Sequence, residues 1–234
     1  MHADCINPSQ HPEAQVLGVD LSPIQPPWYA VCGMPRSFVD IDAKPRTHRV
    51  PPNCTFEVDD IERPWMWKEP FDFIHSAYLS QGIRDWPTYT QRIYDNLVPG
   101  GVVQLLEFSL RFSSDDNTVR KGGYLDRYEI AFEEAARIAG LHDASAHLHS
   151  YLQAAGFLGV KVVVKKLPIG PWPKDHKKKV IGRWGLSIAE QGCRSYGFAL
   201  FTRHLGMSFE EASELCEGAF KELCQRDVHT YMAQ

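Results

Sequence analysis

The sequence has little that would indicate a zinc site, a disulfide framework or a membrane anchor. Its six cysteines include no CxxC pair, so neither a zinc-ligand spacing nor a disulfide pattern is present. The longest apolar runs, such as Val102 to Leu106, are far shorter than the roughly 20 residues that span a bilayer. Residues 1–15 carry neither a basic cluster nor an apolar stretch and do not resemble a secretory signal. We therefore expect an intracellular protein, cytoplasmic or nuclear, without a membrane partner.

A surplus of positive charge is also missing. Lys and Arg number 25 against 29 Asp and Glu, so the formal net charge is −4 and no nucleic-acid partner is expected. The basic stretch 172–183 is interpreted as a solvated helix face, with nucleic-acid contact or a nuclear import signal as the alternatives. The 234 residues, 44% of them hydrophobic, have the composition of a globular protein, and the length favours one domain.

Short apolar runs alternate with a helical pattern in the first half of the chain, which is typical of an α/β fold with a parallel sheet. The patterns predict strands at 15–19, 55–58, 71–74 and 102–108, with a helix over 87–97. The second half is mainly helical, with helices predicted over 126–139, 144–155, 174–190, 196–205 and 208–224 and a strand over 160–165. Ser208 and Glu211 have the spacing of a capping box at the start of the last helix.

Polar residues end three of the predicted strands. Asp20 ends the first, Asp59 and Asp60 close the second, and His75 ends the third. Ligands of open α/β sheets bind at the carboxyl ends of the strands. A carboxylate there can accept hydrogen bonds from both hydroxyls of a ribose, and another can accept from an exocyclic amine such as that of adenine. A solvated turn is the simpler interpretation of each residue alone, but together they favour a nucleoside-type cofactor.

Four segments occur along the chain in the order VLGVDLSPIQPPW (16–28), VPPNCTFEVDDIERPW (50–65), FDFIHSAYLSQGIRDWP (71–87) and NLVPGGVVQLLEF (96–108). Together they resemble the class I S-adenosylmethionine-dependent methyltransferases, and within them the fungal Lae-type methyltransferase-like proteins of secondary metabolism. The likeness continues through 155–186 and 198–232. It implies a Rossmann-like core in a single methyltransferase-like domain over 11–234, with helical cap insertions at 120–155 and 172–226 before the last strand.

The resemblance implies S-adenosyl-L-methionine as the cofactor and gives roles to six residues. These are Asp20 and Leu21 at the ribose, Asp60 and Ile61 beside the adenine, and His75 and Ser76 under the methionine part. No catalytic base and no metal ligand is assigned, because the sulfonium is an activated methyl donor that needs mainly proximity and in-line orientation. The methyl acceptor would be a small molecule or a protein side chain. The alternative is a non-catalytic relative that acts through regulatory protein partners.

The sequence departs from the family at its two ends. The acidic-Gly-x-Gly-x-Gly turn and the first strand, expected shortly before His11, are absent, and the last strand would begin only at Gln234. The missing first strand would lie beside the strand that carries Asp20, so we expect an incomplete core. Because only glycine lets backbone amides approach the methionyl carboxylate closely, we also expect this chain to bind the cofactor weakly.

Other polar residues have plain interpretations beside the functional ones. Glu107 and Tyr78 come directly after predicted strands, where they line either a substrate pocket or an ordinary loop. His147 and His149 are two residues apart and would point to different faces of a helix, which disfavours a shared metal ion.

Residues 29–49, like residues 1–10, are atypical for this fold. They interrupt the family's junction between Trp28 and Val50, and they show neither a helical period nor a steady strand period. A loop of this length inside a compact α/β domain is uncommon. The alternatives are a translated intron and a genuine surface insertion at a tolerant loop.

We predict that residues 29–49 are a translated intron. Their removal joins Trp28 to Val50 in frame and restores the junction of the family. Sequencing of the transcript should show a dominant mature message without the bases that encode them. A dominant message that retains those bases and begins at Met1 would instead indicate a genuine insertion in a degenerate methyltransferase-like protein.

Overall fold

The computed structural model describes residues 11–22, 51–141 and 143–234. The two atypical segments, 1–10 and 29–49, lie outside the described residues, as does the junction from Trp28 to Val50. The chain forms two compact units, residues 1–69 and 70–234.

The first unit contains two parallel strands, β1 (Val16–Asp20) and β2 (Cys54–Val58). Val16 pairs with Cys54 and Asp20 with Val58. Beyond the last pair, the backbone N–H of Asp59 donates to the carbonyl oxygen of Asp20 at 3.1 Å. The prediction of two strands here is confirmed, and their parallel pairing brings both carboxyl ends to the same edge.

The second unit begins with β3 (Phe71–Ala77), α1 (Trp86–Asp95) and β4 (Leu97–Leu106). The two strands are parallel and separated by the helix, as the alternating pattern predicted. Asp85 caps α1 by accepting the backbone N–H of Thr88 at 3.0 Å. Both strands are longer than predicted. Residues 99–101 lie inside β4, where the register with β3 shifts.

Five helices follow, and the predicted helices of the second half are confirmed with shifted ends. They are α2 (Tyr124–Ile138), α3 (Leu148–Ala155), α4 (His176–Gly192), α5 (Phe198–His204) and α6 (Phe209–Leu223), with a π-helical turn at Cys193–Gly197 between α4 and α5. The capping box is confirmed. Ser208 Oγ accepts the backbone N–H of Glu211 at 3.2 Å, and Glu211 Oε2 accepts that of Ser208 at 2.9 Å.

The largest core of the second unit lies among α2, α5, α6 and the π-helical turn. Phe201 and Leu223 are completely buried there, and the ring of Phe201 meets that of Tyr128 edge to face at 5.2 Å. Burying a large apolar side chain contributes roughly 1.5–3 kcal/mol, so this cluster holds α2, α5 and α6 together.

A three-stranded antiparallel sheet completes the second unit in the order β5 (Phe112–Ser113), β7 (Thr230–Ala233), β6 (Lys166–Ile169). The prediction of a strand over 160–165 is wrong. The side chains of residues 162–164 are 63% to 72% exposed, so neither face of this segment is buried. Strand β6 begins only at Lys166. The sequence did not predict β5 or β7, which have only two and four residues.

The mixed helix and strand content agrees with the predicted α/β class. Within the described ranges, β1 pairs with β2 in the first unit, and β3 pairs with β4 in the second. The incomplete core, the single domain over 11–234 and the cap role of 120–155 and 172–226 stay predictions. No helix in the described ranges is both long and apolar enough to cross a membrane.

Helix α4 packs backbone to backbone against the end of β6. The N–H of Gly170, directly after the strand, donates to the carbonyl oxygen of Gly182 in the helix at 2.9 Å. A Cβ atom on Gly182 would overlap the carbonyl oxygen of Gly170, and one on Gly185 would lie 2.6 Å from that of Pro168. Glycine at both positions therefore permits the close approach of helix and strand.

Replacement of Gly182 with alanine should lower the free energy of unfolding by about 2–3 kcal/mol, because backbone atoms would have to move apart. Gly192→Ala in the same helix is the matched control. Its Cβ would meet no atom within 4 Å, and alanine should add about 0.5–1 kcal/mol through helix propensity. Urea unfolding of both variants measures the difference. Equal stabilities would show that α4 does not depend on this contact.

Candidate functional site

Asp20 is the last residue of β1 and is half-buried. Its Oδ1 accepts the backbone N–H of Ser22 at 2.8 Å, in a turn of the kind that Asp commonly makes. Among the described residues, Oδ2 accepts no hydrogen bond. In the part of the chain that the structure describes, one carboxylate oxygen is thus held and the other could accept from a hydroxyl group. Leu21 follows with 71% of its surface exposed and offers apolar surface at the same strand end.

Asp60 lies two residues after β2, the strand paired with β1. Its Oδ1 accepts the backbone N–H of Glu62 at 3.0 Å, and its Oδ2 lies 3.4 Å from Nε of Arg63. Both oxygens of this carboxylate already have partners. Each still has a second lone pair, so an amine of a ligand would share them with the chain.

The groups of Ile61 that bear on the candidate site belong to its backbone. Its carbonyl oxygen accepts the indole N–H of Trp65 at 3.0 Å, while its own N–H donates to no residue of the described chain. The ring of Trp65 meets that of Trp67 edge to face at 5.0 Å, and the indole N–H of Trp67 donates to Glu57 Oε2 at 2.9 Å. These contacts fix the chain after β2.

The first unit therefore presents a defined set of donors and acceptors at the carboxyl edge of β1 and β2. Asp20 offers an acceptor, Asp60 offers shared acceptors, and Ile61 offers a donor. A ribose supplies hydroxyl donors, and adenine supplies an amine donor and ring-nitrogen acceptors. The residues present fit the nucleoside part of S-adenosylmethionine.

His75 and Ser76 belong to the second unit. The expectation that His75 ends its strand is wrong, because β3 continues to Ala77. His75 Nδ1 donates to Gln104 Oε1 of β4 at 3.1 Å. Ser76 is buried, and its hydroxyl interacts with Tyr89, a buried residue of α1 whose pKa is raised by burial. Neighbouring residues of a strand point to opposite faces, so a ligand on one face meets only one of the two side chains.

Glu107, directly after β4, is 4% exposed and binds the loop that follows β3. Its Oε1 accepts the backbone N–H of Leu79 at 2.7 Å. Its Oε2 accepts the hydroxyl of Ser80 at 2.8 Å and the backbone N–H of Ser80 at 3.2 Å. We call this set of three hydrogen bonds the Glu107 clamp. The sequence showed only that Glu107 follows a strand. It could not predict the hydrogen-bond partners of Glu107, because the pairing of β3 with β4 brings them close.

Tyr78 connects β3 to the Glu107 clamp. Its backbone φ of 59° lies in the left-handed region, which is uncommon for an aromatic residue. Its ring stacks on that of Phe108 with centroids 4.7 Å apart and an interplanar angle of 12°, and its hydroxyl accepts from Gln234 Nε2 at 2.7 Å. The sequence predicted Tyr78 as a residue of a pocket or a loop, but no local pattern predicts its left-handed backbone conformation.

Glu129 of α2 is a titratable residue that the sequence did not single out. Burial raises its pKa to about 7, although it accepts the backbone N–H of Phe112 at 3.3 Å. It lies outside the strand ends that form the candidate site. Among residues 11–22, 51–141 and 143–234, no group of His, Cys, Asp and Glu has an arrangement that would hold a metal ion.

Comparison with known proteins identifies the class. A family model described as a methyltransferase domain matches residues 3–162. Methyltransferase pytC of Aspergillus terreus is 32% identical over 94% of this chain and 62% of its own length. The secondary metabolism regulator LAE1 of Cochliobolus heterostrophus is 31% identical over 93% and 66%, and the protein-methionine methyltransferase laeA of Emericella nidulans is 25% identical over 95% and 55%. The chain thus spans between 55% and 66% of the length of these relatives.

The family match covers more than half of the chain, and the protein belongs to the methyltransferase domain family. Its similarity to pytC and to the LaeA and LAE1 regulators places it in the Lae-type group of that family. The resemblance that the sequence suggested is confirmed. Helices α4, α5 and α6 lie beyond the part that the family model matches.

Replacement of Glu107 with alanine should lower the free energy of unfolding by about 2–3 kcal/mol, because the buried donors of Leu79 and Ser80 would lose their acceptor. Glu217→Ala serves as the control. Glu217 is an exposed residue of α6 in a surface ion pair with Lys221, and its removal should change stability by less than about 0.5 kcal/mol. Denaturant unfolding compares the two. An equally small effect at Glu107 would mean that the Glu107 clamp does not hold the loop.

Proposed function

We propose that the protein transfers the methyl group of S-adenosyl-L-methionine to a small molecule or to a protein side chain. The observation that carries the proposal is the edge of the first unit, where, among the described residues, one carboxylate oxygen of Asp20 and the N–H of Ile61 have no partner at neighbouring strand ends. Membership of the methyltransferase domain family supports the same chemistry.

Each residue of the site has a separate task in this proposal. Asp20 accepts hydrogen bonds from the ribose hydroxyls, with Leu21 packed beside them. Asp60 and Ile61 bind the amine and a ring nitrogen of adenine. Carboxylates suit these positions because they accept without donating.

His75 and Ser76, which the resemblance places under the methionine part, are neighbours in β3 and point to opposite faces of the strand. Ser76 is buried, and its hydroxyl interacts with the buried Tyr89. His75 Nδ1 lies 3.1 Å from Gln104 Oε1 on the neighbouring strand, and one of the two side chains would meet the methionine part.

Binding and orientation are the work left to the protein. S-adenosylmethionine, when bound, supplies an already activated methyl group, so no side chain has to activate the donor. Holding donor and acceptor in line supplies much of the lowering of the barrier. The named residues therefore act by positioning, and none of them is assigned as a general base.

The names of two relatives favour a second function. LAE1 of Cochliobolus heterostrophus and laeA of Aspergillus fumisynnematus are each described as a secondary metabolism regulator. By analogy, a protein of this group would act through regulatory partners in the cytoplasm or nucleus, without turnover of a cofactor. The two functions differ in whether the cofactor site binds its ligand.

Asp20→Ala should weaken the binding of S-adenosylhomocysteine by about 1.5–3 kcal/mol, the range for hydrogen bonds to a charged group. Titration followed by ligand-observed NMR suits the weak binding expected from the sequence. Asp72→Ala, at an exposed position near the amino end of β3, is the control and should bind as the unchanged protein does.

Two results would contradict the proposal in different ways. Equal affinities in Asp20→Ala and the unchanged protein would mean that the ribose binds elsewhere. An unchanged protein with no saturable binding of S-adenosylhomocysteine or S-adenosylmethionine would favour the non-catalytic regulator.

A further inference from the structure

Two aromatic side chains lie together at the carboxyl ends of β3 and β4. Tyr78 directly follows β3, and Phe108 comes two residues after β4. Their rings are stacked, with centroids 4.7 Å apart, and Tyr78 keeps 53% of its surface exposed. We call them the aromatic pair. Since ligands of α/β proteins bind at this end of the strands, the aromatic pair offers ring surface where a ligand would lie.

The backbone holds Tyr78 in a conformation that its side chain does not favour. The left-handed region costs a residue with a Cβ atom roughly 1–2 kcal/mol. Among the described residues, Asn117 (φ 56°) is the other non-glycine residue there, and asparagine tolerates this region far better than tyrosine does. An observed outlier of this kind at a ligand-binding edge indicates a functional position.

Contacts on both sides of Tyr78 maintain this conformation. Its N–H donates to the carbonyl oxygen of Leu106 at 2.9 Å, which extends the pairing of β3 with β4. The Glu107 clamp then fixes Leu79 and Ser80. Because Glu107 lies directly before Phe108, the same clamp brings the two rings together.

The chemistry of the aromatic pair selects a cation. The face of an aromatic ring carries negative potential and attracts a positive charge within about 6 Å, most strongly where water is excluded. Glu107 is buried and its oxygens hold the loop, whereas the ring of Tyr78 is exposed and is the surface that a ligand would meet. A sulfonium is a compact cation, whereas the thioether of the demethylated product is neutral.

We propose that the aromatic pair, held by the Glu107 clamp, recognises the sulfonium and makes the protein bind S-adenosylmethionine in preference to S-adenosylhomocysteine. This inference rests on the proposed function. Tyr78 and Phe108 are the residues that contact the ligand, and Glu107 is a positioning residue that acts through them. The preference helps the spent product to leave.

The test is the ratio of two dissociation constants, that of S-adenosylhomocysteine divided by that of S-adenosylmethionine. Tyr78→Leu should lower this ratio by about threefold or more, the effect expected from loss of a cation–ring contact. Tyr78→Phe keeps the ring and should retain the ratio. Glu107→Gln should lower it as well, because the loop loses part of the Glu107 clamp.

Tyr94→Leu is the matched control. Tyr94 is a partly exposed tyrosine of α1 that also contacts a phenylalanine, Phe157, edge to face at 5.1 Å. Its replacement should leave the ratio unchanged. Circular dichroism checks that every variant is folded. If Tyr78→Leu is not, Phe108→Leu makes the same comparison with Tyr78 intact and should also lower the ratio.

The outcomes separate this inference from the proposed function. If the unchanged protein binds both ligands and the ratio stays the same in Tyr78→Leu and Phe108→Leu, the aromatic pair does not recognise the sulfonium, while the proposed function stands. If Tyr78→Phe lowers the ratio as much as Tyr78→Leu does, the hydroxyl rather than the ring is responsible, and the inference is wrong. If the unchanged protein binds neither ligand, the proposed function fails and this inference fails with it.

Discussion

The carboxylate of Glu107 joins the end of β4 to the loop that leaves β3. A buried carboxylate is costly unless its oxygens are hydrogen-bonded, and here two N–H groups and one hydroxyl of that loop supply the partners. Backbone groups after a strand normally lose their ladder partners, and Glu107 replaces them. The course of the chain from Tyr78 to α1, and with it the surface at this end of the two strands, follows from that arrangement.

In the first unit, backbone pairing of two strands positions the polar residues. Because β1 and β2 are parallel, Asp20 and the residues after β2 meet at one edge. A short turn at Ser22 holds one oxygen of Asp20, and the Trp65 indole holds the carbonyl of Ile61. The chain thereby orients these groups, and within residues 11–22 and 51–69 one acceptor and one donor have no partner. These two groups are the basis on which we propose that the first unit binds a nucleoside.

A helical period predicted the helices, because each has an apolar face long enough to show it, and short apolar runs predicted the four parallel strands. Ser208 and Glu211 gave the start of α6, since a capping box depends on local spacing alone. The antiparallel strands β5 and β7 are too short for a period, and their partners lie far away in sequence. The valines at 162–164 have strand propensity, but propensity does not tell whether a face is available to bury them.

Some features of the candidate site could likewise be predicted from the sequence, and others could not. Strand-end position predicted Asp20 and Asp60, because the carboxyl ends of parallel strands are where ligands bind. The available N–H of Ile61, the left-handed backbone of Tyr78 and the partners of Glu107 depend on tertiary contacts that no local pattern encodes. Family membership names the chemistry, and the chain spans only part of the length of its relatives, so the activity of the whole protein follows from the site only as a proposal.

Hydrogen exchange measured with and without S-adenosylhomocysteine tests the central claim most directly, because it reports which backbone segments a ligand contacts or orders. The account predicts slower exchange, on adding saturating ligand, in the segments after β1 and β2, at residues 20–22 and 59–62, and in residues 75–80 of the second unit. Helices α4 to α6 should keep their exchange rates. Protection confined to those helices, or no protection at any segment despite saturating ligand, would contradict a cofactor site at the carboxyl ends of the parallel strands.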